Sequence, residues 1–412
     1  LNHSSLNKSD ELSNEALHQL EQASKTDPNN VLLLVKVIIV SDYLDKGCVV
    51  YLDHLRRLHP EIGAELVPVV SAIYGKPPSV SGALSAQIEK TIPPGWYRNQ
   101  ALLKLYELDK DKTAYSLLNA KLKLGYRQFF TRIGLMLIIG ICLALSGCIV
   151  IVVQLFNLAS VGQDFDKIIA PADYGWIAVY AVFIAWLATQ ILTGILLQPL
   201  TSKLKLVAVN SLTMALVIAL VYLVSNGPAL LYIYFFALKP NKVKLIEGLK
   251  LLGQTGKIGP VGMVGCGILA WLAAIPVVSV AYMLASRFFG SHGSNNPIIA
   301  VVMQAAHSAN LLAVVLFYLT LSFLAPFCEE SLFRGFLYSF LRRHMNIPLS
   351  IFISASLFAL LHVDAGGMLP LFCLGSIFAF LFERTKSILP SIIAHGLWNG
   401  STFTLVLLLY GS

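Results

Sequence analysis

Charge is scarce in this sequence. Asp, Glu, Lys and Arg make up 13% of its 412 residues, about half of the roughly 25% usual in soluble domains. Over such a length, so little charge cannot cover a water-facing surface, and lipid is the simplest alternative environment. Acids are scarcer still in the second half, where Glu247 is the single carboxylate between Asp173 and Glu329. The six cysteines (Cys48, Cys142, Cys148, Cys266, Cys328 and Cys373) form no CxxC pair, and five lie within or at the ends of apolar runs. That argues against a disulfide framework or a zinc cluster, and they read as small buried apolar residues. No HExxH occurs, so the zincin arrangement of metal ligands does not apply. No secretory leader is legible, because the first long apolar run comes late and many more follow.

The net charge is +8, yet the basic residues of the apolar part sit in short loops, such as Lys203 and Lys205 or Arg342 and Arg343. There they set topology and meet anionic headgroups. They lack the clustering and aromatic interleaving of a nucleic-acid groove, so no nucleic-acid partner is expected.

What charge there is gathers early: residues 1–132 hold 30 of the 52 Asp, Glu, Lys and Arg. Residues 1–120 read as a soluble, cytosolic helical domain. Glu11 to Lys25 carries Leu and Ala at helical spacing, Asp27-Pro28-Asn29-Asn30 is a turn, and a third helix runs through Tyr51 to Leu58 and stops at His59-Pro60. Paired helices of this kind resemble tetratricopeptide units, although the 34-residue signature is not legible twice. A plain helical bundle therefore stays open beside them, and either could recruit a protein partner. The apolar run Val31 to Val40 is too short to span a bilayer, which takes about 20 residues, and reads as a core helix. Residues 75–95, rich in Pro, Gly and Ser, read as a linker.

From Ile133 onward the apolar lengths suit transmembrane helices, at about 133–156, 174–197, 206–225, 262–286, 309–327, 348–363, 368–382 and 389–410. In lipid each backbone polar group needs an internal partner, so these are helices. The alternation of a barrel strand is absent. Lys121, Lys123, Arg127 and Arg132 place the start of the first span in the cytoplasm, and Arg342, Arg343, Arg384 and Lys386 place later loops there too. Eight spans cannot satisfy both ends. An extra crossing within 206–238, using Leu230 to Leu238, would reconcile them. The expected fold is all-α: a polytopic membrane helix bundle with an N-terminal soluble helical domain. Its parts are 1–120, then 121–258 with the first spans and a basic loop, then 259–412.

Against this apolar background Cys328-Glu329-Glu330-Ser331-Leu332-Phe333-Arg334 stands out. A carboxylate at bilayer depth costs roughly 2.5–3.5 kcal/mol on insertion scales, and such residues are functional by default. Glu330 and Arg334 share a helical face at i,i+4 and can pair. Glu329, turned about 100° away, has no local partner and is free to act as a base. His362 and His395 lie in other apolar segments, and Asn399 follows His395 by one turn. At a rise of about 1.5 Å per residue, Glu329 lies about 20 Å in from Arg342, His362 about 21 Å from Pro348 and His395 about 9 Å from Leu389. All three can share one cavity. A carboxylate and an imidazole there could take a proton from water and aim it at a peptide carbonyl. The second His and the Asn amide could hold the oxyanion. Alternatively His362, His395 and Glu329 could ligate zinc. Asp364 could orient His362 or cap a helix. Phe358 is expected under His362, Trp398 in a cavity wall or at the interface, and His344 and His307 at solvated or interfacial positions. A transporter should show internal repeats with interrupted helices, and none is legible.

Glu329-Glu330-x-x-x-Arg334, Phe358-x-x-x-His362 and His395-x-x-x-Asn399 together resemble the three motifs of the CAAX-protease and bacteriocin-processing family. It includes the eukaryotic type II CAAX prenyl endopeptidases and bacterial abortive-infection and bacteriocin-immunity proteins. The resemblance covers about residues 260–412. It implies an intramembrane endopeptidase acting on a membrane-associated peptide, of which a prenylated CaaX-type peptide, the substrate of the best-known relatives, is one candidate. Glu329 and His362 would activate water, His395 and Asn399 would form the oxyanion site, and Glu330 with Arg334 would be a structural pair. Family members are described both as zinc metalloproteases and as metal-independent glutamate enzymes, so both routes stay open. The partners expected are membrane lipid and a peptide or protein substrate, in a bacterial inner membrane with the N-terminal domain cytoplasmic. The competing reading is a non-proteolytic scaffold or immunity-type protein in which the polar cluster only holds helices together.

Overall fold

The computed structural model describes residues 3–58, 65–79, 83–160, 174–206, 211–251, 259–289 and 310–410. All regular elements among them are helical, and the chain divides into two compact units, Leu1–Thr131 and Arg132–Ser412.

The first unit holds α1 (His3–Thr26), α2 (Val31–Tyr43), α3 (Val49–Arg57), α4 (Leu66–Tyr74), α5 (Leu84–Thr91) and α6 (Trp96–Leu108). Asn30 starts α2 by accepting the Leu33 N–H at 3.1 Å, which satisfies one of the donors a helix start leaves open. α2 is apolar nearly all round and buries Leu34, Val35, Val37, Ile38 and Ile39, as the central helix of a bundle must. Leu52, Leu55, Val70, Ile73, Ile88 and Leu102 close around it. The linker expected over 75–95 is corrected here. α5 lies inside it, because Leu84 and Ile88, one turn apart, bury themselves in this core. His59 and Pro60 lie outside the described residues.

Unit two begins within α7 (Lys112–Ser160). It continues with α8 (Trp176–Leu206), α9 (Ser211–Asn226), α10 (Pro228–Ile233), α11 (Leu245–Gly248) and α12 (Pro260–Phe289). The long interrupted helix α13 (Leu311–His344) follows, then α14 (Ile347–Leu360), α15 (Met368–Thr385) and α16 (Leu389–Tyr410). Seven helical lengths among the described residues are long and apolar enough to cross a membrane: Lys112–Phe156, Trp176–Leu197, Leu212–Asn241, Pro260–Phe288, Leu311–His344, Met368–Thr385 and Leu389–Leu409. On α7 the side chains of Leu137, Ile138, Ile141, Leu145, Ile149 and Phe156 all face outward, the pattern of a helix solvated by lipid. The chain is a multi-pass helical membrane protein.

Two expected spans change. The one at 348–363 is α14, only 14 residues long, about 21 Å against a hydrocarbon core of about 30 Å. It stops because Val363 turns to a left-handed φ of 50° and the Asp364 carboxylate accepts the Gly367 N–H at 3.2 Å. The extra crossing within 206–238 is not made. Gly227 keeps right-handed helical angles and Pro228 takes the first position of the next turn, where its missing N–H is tolerated. Leu212–Asn241 is therefore one helical length.

Helices cross closely where side chains vanish. Pro276 inside α12 has no N–H for the Leu272 carbonyl one turn back. Gly147 of α7 lies against that carbonyl, so a Cβ there would collide with it. One end of the unit is closed by a charge cluster. Buried Glu383 accepts Arg342 Nε at 3.0 Å, Tyr338 OH at 2.9 Å and Lys386 Nζ at 3.1 Å. Arg342, expected in a headgroup-facing loop, is thus a buried partner of Glu383. Nearby, the Lys250 carbonyl accepts the Ile388 N–H at 3.2 Å, and the Leu251 carbonyl accepts Ser387 Oγ–H at 2.8 Å. The Lys250 ammonium is pushed down to about 8, first by burial and then by Lys386, with Glu383 opposing.

Candidate active site

α13 is built irregularly. Its α-helical start ends at Leu319, and Thr320–Leu324 and Ser331–Tyr338 are π-helical turns flanking the α-helical Ala325–Glu330. Such turns recur at functional sites. In the π register the Leu321 carbonyl would meet residue 326, which is a proline without an N–H. Asn399 Nδ2 of α16 donates to that carbonyl instead, at 3.0 Å. α16 can come this close because Gly396 faces the Ser322 carbonyl, where any Cβ would collide. The same approach brings His395 to Glu330.

Glu330 and Arg334 are fully buried. Glu330 Oε1 accepts Arg334 Nη1 at 2.9 Å and contacts His395 Nδ1 at 2.9 Å. Arg334 Nη2 donates to the Gly375 carbonyl of α15 at 2.9 Å. Its guanidinium lies over Phe358 and Phe378, 4.7 and 5.4 Å from the ring centroids, and His395 stacks on Phe378 at 5.0 Å. Burying these charges is tolerable because each has an ion-pair partner and hydrogen bonds, although Glu330 Oε2 and Arg334 Nε are left without a hydrogen-bond partner. The network ties α13, α14, α15 and α16 together and fixes the His395 ring.

His362 lies in the turn just beyond α14, not within the helix. Its Nδ1 meets the Phe358 carbonyl at 2.7 Å, and its ring rests on Phe358 at 4.7 Å. A carbonyl only accepts, so Nδ1 carries the hydrogen, and in the neutral ring Nε2 is left as a lone pair. The same reasoning against the Glu330 carboxylate puts the hydrogen of His395 on Nδ1.

Glu329 is where these elements converge. Its Oε1 accepts Tyr222 OH of α9 at 3.0 Å. Its Oε2 has no hydrogen-bond partner and lies 4.0 Å from His362 Nε2 and 3.8 Å from His395 Nε2. The Glu329 side chain is 20% exposed and that of His362 35%, while Glu329 Oε2 itself is buried and His395 is 4% exposed. Three lone-pair atoms therefore face one point. They are too far apart for direct hydrogen bonds and close enough for one water to touch a pair of them.

Two imidazoles and a carboxylate are zinc-type donors, but the spacing is wide. Ligands of a tetrahedral zinc at about 2.0–2.2 Å stand roughly 3.4 Å apart, and no group of three or more His, Cys, Asp or Glu among the described residues is set to hold a metal. As arranged, the three do not fit zinc.

Of the sequence candidates, Glu329, Glu330, Arg334, His362 and His395 meet in this cluster. Asn399 stands one turn beyond His395 with its amide on the Leu321 carbonyl. Asp364 holds the turn before α15. Trp398 lines an apolar cavity of ≈ 730 Å³ with Trp271, Ser322 and Gly396. His344 is exposed beside Trp176 and Phe340. His307 lies outside the described residues. Sequence reasoning passed over Tyr222 and Glu383. For Tyr222 the available signal was a run of polar groups, with Ser225 and Asn226, in an otherwise apolar helix.

A family model for type II CAAX prenyl endopeptidase Rce1-like proteins matches residues 310–401. The chain is also similar to "Putative membrane peptidase YdiL" of Bacillus subtilis (strain 168), with 34% identity over 95 residues, 23% of this chain and 38% of that relative. No solved structure matches. The matched segment is narrower than the 260–412 expected from the motifs, yet it holds all seven motif residues. Over residues 310–401 the chain is similar to the type II CAAX prenyl endopeptidase Rce1-like family, and it spans 38% of the length of the curated relative it matches.

Proposed function

We propose that the chain is an intramembrane endopeptidase that hydrolyses a peptide bond in a membrane-associated substrate. The observation that carries this is the convergence of Glu329 Oε2 with the Nε2 atoms of His362 and His395, within a match to a peptidase family. Glu329 takes a proton from a water held between its Oε2 and His362 Nε2, and the oxygen attacks the scissile carbonyl. The tetrahedral oxyanion is held from α16 by the second N–H of the Asn399 amide, joined by His395 Nε2 once that ring has taken a proton from solvent. Glu329 then returns the proton to the leaving amine. Glu330 and Arg334 hold His395 in register.

The substrate class we favour is a prenylated peptide ending in a CaaX sequence. The test uses the purified chain in liposomes with a farnesylated CaaX peptide and its unprenylated twin. Release of the C-terminal tripeptide from the farnesylated form, lost in Glu329→Gln, supports the reading. Equal release by Glu329→Gln overturns the assigned base, and hydrolysis of other membrane peptides alone overturns the substrate class. The donor spacing supports a metal-independent route. Overnight dialysis against a zinc chelator is expected to leave the rate within about twofold, and loss restored by zinc would contradict it.

A further inference from the structure

The family match ends on one side at residue 310, yet one contact to the Glu329 carboxylate comes from Tyr222 on α9, far outside it. A carboxylate is a two-fold rotor with two equivalent oxygens. Here one oxygen is tied to Tyr222 OH at 3.0 Å, and only then is the other defined, 4.0 and 3.8 Å from the two imidazoles. Apart from the hydroxyl, no hydrogen bond to the Glu329 carboxylate is made by the described residues, and Oε2 accepts none.

Tyr222 is itself placed firmly. Ala215, one of the buried residues on α9, packs with Phe317 of α13 and Phe403 of α16, and Ile218 joins them. Tyr222 follows at i+4 from Ile218, on the same face. Behind it, Asn226 Nδ2 donates to the Tyr222 carbonyl at 3.3 Å, while Asn226 Oδ1 accepts Gln190 Nε2 of α8 at 2.7 Å. This polar brace between two apolar helices sets the height of α9 against α8, and with it the hydroxyl.

We infer that Tyr222 is a positioning residue of the hydrolytic site, holding the Glu329 carboxylate so that its second oxygen faces the histidines. The inference rests on the proposed peptidase reading for its kinetic arm only. A bland alternative exists: a tyrosine in lipid needs a partner for its hydroxyl, and Glu329 is simply the nearest acceptor. That alternative expects Tyr222→Phe, which keeps the ring and its packing, to leave catalysis untouched.

Two measurements on the full-length protein separate them. The first is infrared spectroscopy, with the Glu329 band identified as the wild-type minus Glu329→Gln difference. Tyr222→Phe is expected to move that band, because a hydrogen bond to the group is lost. An unmoved band overturns the contact, whatever the protein cleaves. The second is hydrolysis of the membrane peptide that the wild type cleaves best. Tyr222→Phe is expected to lower kcat about 10- to 100-fold with KM within twofold and the melting temperature unchanged. Added to Glu329→Gln, it should lower the rate no further, as for residues acting as a unit. A kcat within twofold of wild type overturns the positioning role. A wild type that cleaves nothing defeats the peptidase reading separately, and the infrared arm still decides whether Tyr222 fixes the carboxylate.

Discussion

At Glu330 a single carboxylate oxygen serves both Arg334 and His395, each at 2.9 Å. Removing Arg334 would strand a fully buried carboxylate, and breaking such a pair typically costs about 3–5 kcal/mol. Arg334→Leu is therefore expected to lower the unfolding free energy by about that amount, read from thermal or denaturant unfolding in detergent. Glu329→Gln should stay within about 1 kcal/mol of wild type, as changes that create no cavity or stranded charge do. A Glu329→Gln protein as unstable as Arg334→Leu would favour the scaffold reading. The Glu330–Arg334 pairing was legible from the i,i+4 spacing alone. The partnership of Glu330 with His395 was not, because 65 residues separate them and only the fold closes that distance. Tyr222 stayed hidden for the same reason.

Among the elements, α16 decides the site, since it carries both His395 and Asn399 against the π turn of α13. Gly396 makes that approach possible. Gly396→Val is expected to push α16 off the Ser322 carbonyl, costing about 1–3 kcal/mol through overpacking and abolishing hydrolysis. Retained activity with unchanged stability would contradict the assigned approach. Hydropathy located α16 within a residue or two but misread α14. An apolar run does not say where the backbone turns, and Val363 with the Asp364–Gly367 contact ends the helix before His362. The same limit hid α5 inside a Pro- and Gly-rich stretch. The π turns had no signature in the sequence beyond Pro326.

For the whole molecule, the membrane-spanning character was legible because lipid demands long apolar helices, a property of composition. The fine count was not, because Asn226-Gly227-Pro228 looks like a break and behaves as a continuous helix. The charged end of unit two offers a pH test. Lys250 titrates at about 8 in the folded chain, below its ordinary 10.5. Between those values the unfolded chain binds more protons, so folding gains stability as pH rises from about 8 towards 10.5. The melting temperature of wild type relative to Lys250→Met should accordingly rise between pH 8 and 10. A flat difference would contradict the burial of that ammonium.

Peptide hydrolysis at the Glu329 cluster is the activity proposed for this chain. The most direct measurement is a mass-spectrometric survey of new peptide termini in membrane-protein liposomes incubated with wild type or Glu329→Gln, run in ¹⁸O-labelled water. New C-termini bearing ¹⁸O are expected with wild type and none with Glu329→Gln. Identical termini from both proteins, or none from either, would contradict it.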